Sequence, residues 1–157
     1  VDNSANNTVN EVYSLMIPII DQSILLPNAT VAEIVPFGDV NLEESGPDWY
    51  IGTLRWHGQD IPMVSIDKLQ GADDAMANKR ARVAVVNTLN SNEQLPYIGI
   101  IVQGIPRLTH VTEPSISLVE DVELGSVEKA RVKIGSIQAL VPDLDKLESL
   151  IEEFRAA

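Results

Sequence analysis

Apolar and polar positions alternate with period two along much of this chain. Tyr13, Leu15, Ile17 and Ile19 alternate with a more mixed set, which predicts a strand. Asp21-Gln22 reads as a tight turn, and SILLP (23–27) returns as a second strand. Asn28 stands where a helix cap would stand before ATVAEIV (29–35). A short helix is expected there, ended by Pro36, with Val31, Ile34 and Val35 as its apolar stripe. After the polar loop GDVNLEESGPD (38–48) comes a hairpin that turns at Gly58. Along its first strand Leu54 and Trp56 point one way and Thr53, Arg55 and His57 the other. Pro62 in the return strand has no N–H for a ladder, so an edge or a bulge is expected. QGADDAMANK (70–79) reads as a linker.

The second half opens with the strand RVAVVNT (82–88) and the buried-looking strand YIGIIV (97–102). QGIPRLTHV (103–111) turns and extends again, TEPSISLVEDVELGSVEKA (112–130) is irregular and acidic, and RVKIGSIQALV (131–141) reads as a hairpin through Gly135-Ser136. The chain closes with a helix whose Leu144, Leu147, Leu150, Ile151 and Phe154 share one face. The halves resemble each other. IPMVSIDKL (61–69) lies over ALVPDLDKL (139–147) at an offset of 78, and Leu26…Val31…Ile34 over Ile100…Ile105…Leu108 at an offset of 74. Two matches at similar offsets predict duplicated β-rich halves. About five short strands in each, with little helix, favour small barrels over a layered α/β fold. The expected organisation is a disordered arm over 1–10 and one domain over 11–155. Within it, one subdomain covers about 11–78, a second about 79–142, and a closing helix about 143–155.

Composition narrows the function. The chain has 157 residues, 45% of them hydrophobic, which is enough to build a core. Its 11 basic and 23 acidic residues give a net charge of −12. Such a surface repels phosphates, which argues against nucleic acid and an anionic membrane surface, and attracts a basic protein patch. There is no cysteine, so disulfides, thiolate metal sites and a Cys nucleophile are excluded. No apolar run approaches the length of a membrane span. The chain begins VDNSANNTVN, without Met or an apolar leader core, and reads as trimmed.

Catalytic patterns are missing. The two histidines, His57 and His110, lie far apart in sequence, and there is no H-E-x-x-H, G-x-S-x-G, Walker loop or G-x-G-x-x-G. A set such as His57 with Asp60, Ser65 or Asp67 acquires meaning only if the groups converge in space. His57 reads equally well as a solvated turn residue and as part of a partner-binding face with Arg55. Arg55 stands out because basic residues are scarce and arginine is enriched at binding hot spots.

GTLRWHGQDIPMVSID (52–67) resembles the signature of CheW-like domains, the coupling proteins of bacterial chemosensory arrays. Gly52, Gly58, Ile61, Pro62, Met63, Val64 and Ile66 stand where that signature expects them. SLMIPIIDQSILLPNATVAEIVPF is similar to the family's opening hairpin and short helix, with Glu33 at its acidic position. YIGIIVQGI and IQALVPDLDKLESLI are similar to the strand that opens the second half and to the closing strand and helix. The resemblance implies two SH3-like five-stranded barrels packed side by side, no cofactor, no catalysis and a cytoplasmic location. It implies a scaffold between the cytoplasmic tip of a chemoreceptor, docked in the groove between barrels, and the regulatory domain of a CheA-type histidine kinase. Other CheW-like proteins are further partners of this kind. The implied partner-contacting residues are Val31, Glu33, Ile34, Gly52, Arg55, His57, Gly99 and Val102. Three positions depart from the signature: its Asn is Arg55, its Arg is His57 and its Asp is Ser65. The family Arg can pair with the acid at position 33. An imidazole forms that ion pair only when protonated and lacks the guanidinium fork. Arg55 and His57 are together expected to replace it. These departures resemble the accessory CheW-like proteins of type IV pilus chemosensory systems, which serve twitching motility.

Overall fold

The computed structural model describes residues 11–38, 40–75, 80–90 and 92–156. The arm expected over 1–10 lies outside them, as does the 76–79 part of the expected linker. Among the described residues twelve strands form two six-stranded sheets. In the first half these are β1 (Glu11–Ile19), β2 (Gln22–Pro27), β3 (Val31–Pro36), β4 (Val40–Leu42), β5 (Tyr50–Trp56) and β6 (Gln59–Val64), followed by the one-turn helix α1 (Ile66–Leu69). In the second they are β7 (Arg82–Asn87), β8 (Tyr97–Val102), β9 (Arg107–Thr112), β10 (Ile116–Leu118), β11 (Glu128–Ile134) and β12 (Ile137–Pro142), followed by α2 (Leu144–Ala156).

The sheet orders explain the internal repeat. One sheet runs β10-β11-β12-β2-β1-β9 and the other, reversed, β4-β5-β6-β8-β7-β3. The same order holds if each strand of the first half is matched to its counterpart six strands on and the two opening hairpins are exchanged. β6 pairs with β8, and β12 with β2, in parallel; with the antiparallel pairs β1–β9 and β3–β7 these are the four junctions made by the exchange. Residues 11–27 therefore share a sheet with 107–142, while 31–102 build the other. β6 and β7, the strands before and after the change of halves in the sequence, belong to one sheet.

Three apolar clusters follow from this exchange. Leu54, Ile61, Met63, Val83, Val85 and Ile101 fill the inside of the β3–β8 sheet. Met16, Leu25, Val111, Val132 and Ala139 fill the other. The largest cluster lies on the seam, where Ile17, Ile24 and Leu26 of one sheet meet Ala84, Val86, Ile98 and Ile100 of the other under Leu147 and Ile151 of α2. Alternation along β1 and β7 places successive side chains in a barrel core and then on the seam, which is why these strands read as near-continuous apolar runs.

Each exchanged hairpin is latched to the helix that follows the other sheet. The Ile20 amide at the β1–β2 turn donates to Asp67 Oδ1 in α1 at 3.0 Å. Asn90, in the β7–β8 loop, donates to Asp145 Oδ1 and Glu148 Oε2 in α2, each at 2.8 Å. Asp67 and Asp145 are the aspartates of the two Asp-Lys-Leu copies, so the repeated motif has a repeated task.

One sequence expectation is corrected here. Residues 29–35 are not a helix. One 3-10 turn, Asn28–Thr30, leads directly into β3; its cap position is Pro27, not Asn28, and it has no side-chain cap hydrogen bond. Pairing of β3 with β7 outweighs the helical spacing, and β-branched Val31, Ile34 and Val35 suit a pleated surface. Pro62 lies in an interior strand, but β6 meets β8 only at Met63 and Val64, so Pro62 sits at a local edge of the pairing.

Candidate protein-binding surface

β3 is an edge strand, and its two faces do different work. Ile34 pairs with Ala84 and Pro36 with Arg82, which puts them on the seam face. There Leu15, Val31 and Ile34 pack, half-buried, against the shared core. The β1–β9 pairing sets Leu15 opposite Leu108 and Tyr13 opposite His110. The Tyr13 and His110 rings stack with centroids 4.6 Å apart, and Tyr13 and Leu108 are each 59% exposed. An apolar strip thus runs along the seam from one barrel to the other, open to solvent at its outer rim.

The other face of β3 carries Glu33, opposite Val85. Its carboxylate closes the barrel mouth against the β5–β6 hairpin. The Trp56 indole N–H donates to Glu33 Oε1 at 3.0 Å, and His57 Nε2 lies 3.3 Å from the same oxygen. These hydrogen bonds, the indole's first and the imidazole's second, hold the Glu33 carboxyl below its ordinary range. The turn explains how adjacent residues reach one acceptor. His57 and Gly58 both have positive φ, 47° and 77°, the mark of a type I′ hairpin turn. His57 therefore leaves the strand alternation that would have set it beside Arg55, and swings to the Trp56 side. The indole also packs against Tyr97, centroids 4.8 Å apart, and against the barrel core.

Arg55 goes elsewhere. It faces Asp60 directly across the hairpin, 3.3 Å away, with both side chains about half exposed. Such a pair contributes on the order of 0–1 kcal/mol. Within the chain, Glu33 is thus held by Trp56 and His57, while Arg55 is paired with Asp60. The indole N–H is the shorter of the two contacts to Glu33. In Trp56→Phe the Val85 amide, beneath Glu33, is expected to exchange several-fold faster than in wild type at the same pH. Equal exchange in the two proteins would show that the indole does not hold the mouth closed.

Three of the expected contact residues, Gly52, Gly99 and Val102, are buried. Val102 is fully buried on the seam. Gly99 is buried, and a Cβ there would sit 2.9 Å from a Val83 methyl. Gly52 is buried at a bulge beneath β4. Ser65 accepts the Lys68 amide at 3.1 Å and caps α1, a task that the signature's Asp performs equally well. α1 itself was missed by periodicity; the Ser65 cap and the match to the start of α2 were its available signals. The groups of the enzyme alternative do not converge: His57 is held by Glu33, Asp60 faces Arg55, and Asp67 is buried against Ile20. Among the described residues no group of three His, Cys, Asp or Glu could hold a metal ion. No helix among them is long and apolar enough to cross a membrane.

The family model for the CheW-like domain matches residues 14–151. Among solved structures, the scaffolding protein TtCheW from Thermoanaerobacter tengcongensis superposes with a TM-score of 0.70 at 17% identity, over 83% of this chain and 88% of that one. At that identity the likeness speaks for the fold, two SH3-like subdomains and a C-terminal helix. No curated protein matches the sequence. With its family model covering both sheets and the start of α2, the chain belongs to the CheW-like domain family.

Proposed function

We propose that this chain is a cytoplasmic chemosensory adaptor that acts by binding alone, joining a chemoreceptor tip to the regulatory domain of a CheA-type kinase. The apolar strip on the seam carries the reading. Leu15, Val31 and Ile34 form a half-buried floor, and Leu108 and Tyr13 form an exposed rim. This is the form of a groove for the apolar face of a helix. The edge strand β3 is one wall, and the Glu33–Trp56–His57 contact fixes its position. The kinase contact is assigned to the apolar side chains left exposed at the strand ends, among them Leu42 and Leu118.

A receptor cytoplasmic-tip fragment from the same organism, titrated against the purified protein, tests the groove. Leu108→Asp places a charge on the exposed rim without disturbing the core. It is expected to weaken binding at least 10-fold, about 1.4 kcal/mol. Unchanged affinity would remove the groove from the receptor contact. The substituted polar set at Arg55, His57 and Ser65 supports a finer proposal: an accessory member working beside a more typical paralogue, as in type IV pilus systems driving twitching motility. Binding to the kinase domain or another adaptor, with no receptor binding, would instead favour a competitor role for the same fold.

A further inference from the structure

We infer that the groove between the subdomains ends in an anion-recognising site built on Arg82. The helix docking there would carry a glutamate or aspartate beside an apolar residue that covers Ile105. This rests on the groove reading above and specifies the chemistry of its occupant.

Arg82 occupies a seam position. On β7 it alternates with Ala84 and Val86, both part of the shared core, and it pairs with Pro36 on one side and Val102 on the other. It therefore continues the apolar strip of Ile34 and Ala84 and ends it in a positive charge. A cavity of about 510 Å³ opens there, lined by Pro18, Arg80, Arg82, Gln103, Gly104 and Ile105. Pro18 belongs to one sheet and Arg82 to the other, so the cavity spans the seam. The Gln103 amide donates to the Pro18 carbonyl at 2.8 Å, and the Gln103 side chain donates to the Ala75 carbonyl at 2.8 Å. These bonds hold the walls of the cavity in register before anything docks.

The charge is unspent. Among the described residues the Arg82 side chain has no hydrogen bond or ion pair, in a chain with 23 acidic and 11 basic residues. Arg80 lines the same mouth. Ile105 is the most exposed large apolar side chain of the described residues, at 75%. A guanidinium beside an uncovered isoleucine suits a carboxylate flanked by an apolar side chain, because the fork donates to both carboxylate oxygens. The overall charge of −12 repels an acidic partner at long range. The site therefore contributes register and selectivity: an acidic residue on the docking helix finds a favourable position at this end of the groove and an unfavourable one elsewhere.

Two synthetic amphipathic helical peptides test this, identical on the apolar face and differing in Glu or Lys at the flanking polar positions. They are titrated into the isotope-labelled protein at ~150 mM salt, where the Debye length is ~8 Å and the global field is damped. The Glu peptide is expected to shift the amides of Gln103, Gly104 and Ile105, at a concentration at least 10-fold lower than the Lys peptide needs. Arg82→Glu should reverse the preference, and Arg82→Gln should abolish it with no reversal. Equal binding of the two peptides, shifts confined to other residues, or a preference that survives Arg82→Glu would overturn the inference. The receptor-tip titration separates the two readings. If Leu108→Asp weakens tip binding and neither Arg82 variant does, the groove stands and the anion site falls. If the tip never binds but the Glu preference tracks Arg82, the site stands and its occupant is a helix of another partner.

Discussion

Gly52→Ala is expected to destabilise the protein by about 3–5 kcal/mol, lowering Tm by roughly 10 °C in a chain of this size. Gly52 sits at φ +150°, and a Cβ there would lie 1.9 Å from the Asn41 carbonyl oxygen and 2.9 Å from its carbon. Both obstacles are backbone, so no side-chain rotation can relieve them. Asn41 is in β4, which pairs with β5 through Leu42–Gly52 and Thr53–Asn41. Relief requires β4 to leave the sheet, and β4 is only three residues long. Gly58→Ala provides the control. It also has positive φ, 77°, but nothing lies within 4 Å of its Cβ position. Its cost should be about 1–2 kcal/mol, that of the left-handed conformation alone. Thermal unfolding of the two variants side by side separates collision from backbone strain. Similar Tm values would mean that β4 yields easily and that Gly52 is not needed for close approach.

That contrast also marks the limit of what the sequence could show. The family resemblance placed Gly52, Gly99 and Val102 among partner-contacting residues, and all three are buried. A motif reports that a residue type is required at a position but not whether the requirement comes from a partner or from the next strand. The β-rich class, the β5–β6 hairpin with its turn at Gly58, and α2 with its apolar face were all readable, because each rests on local periodicity or local turn chemistry. The failures were non-local. Residues 29–35 have helical spacing, but pairing with β7, some fifty residues on, makes a strand from Val31 onward. The Asp-Lys-Leu repeat was visible, while its meaning was not. Its aspartates receive hydrogen bonds from hairpins that have crossed to the other sheet, and only the strand order reveals that exchange. His57 was set beside Arg55 by strand alternation, yet the positive φ that a tight I′ turn demands carries it to Glu33 instead.

The two latches differ in burial, and this difference should make the stability of the fold depend on pH at one residue. Asp67 is 2% exposed, whereas Asp145 is on the surface. Burial, with the nearby Asp21 charge adding to it, raises the Asp67 carboxyl to about 6 against an ordinary 3.8, although the Ile20 amide and Gln103 favour the charged form. Its second oxygen, Oδ2, is buried without a hydrogen bond. Between pH 3.8 and 6 the folded protein holds a proton here that the unfolded chain has lost. Stability from this group therefore falls as pH rises through that window, and the penalty is complete above pH 6, with an upper limit of about 3 kcal/mol. Glu33 and Glu43 act in the opposite sense, since hydrogen bonds lower both. The whole-protein pH profile is a sum, and the informative quantity is the difference between wild type and Asp67→Asn. An asparagine keeps an acceptor for the Ile20 amide and places no charge in the seam. The variant should match wild type near pH 4 and exceed it by about 1–2 kcal/mol at pH 7.5, read by urea unfolding at several pH values. A difference that does not change with pH would mean that Asp67 does not titrate in this window. A variant weaker than wild type at pH 7.5 would mean that the charge itself holds the β1–β2 turn against α1, and the buried carboxylate would then be a clamp between the two subdomains that the fold cannot replace with a neutral group.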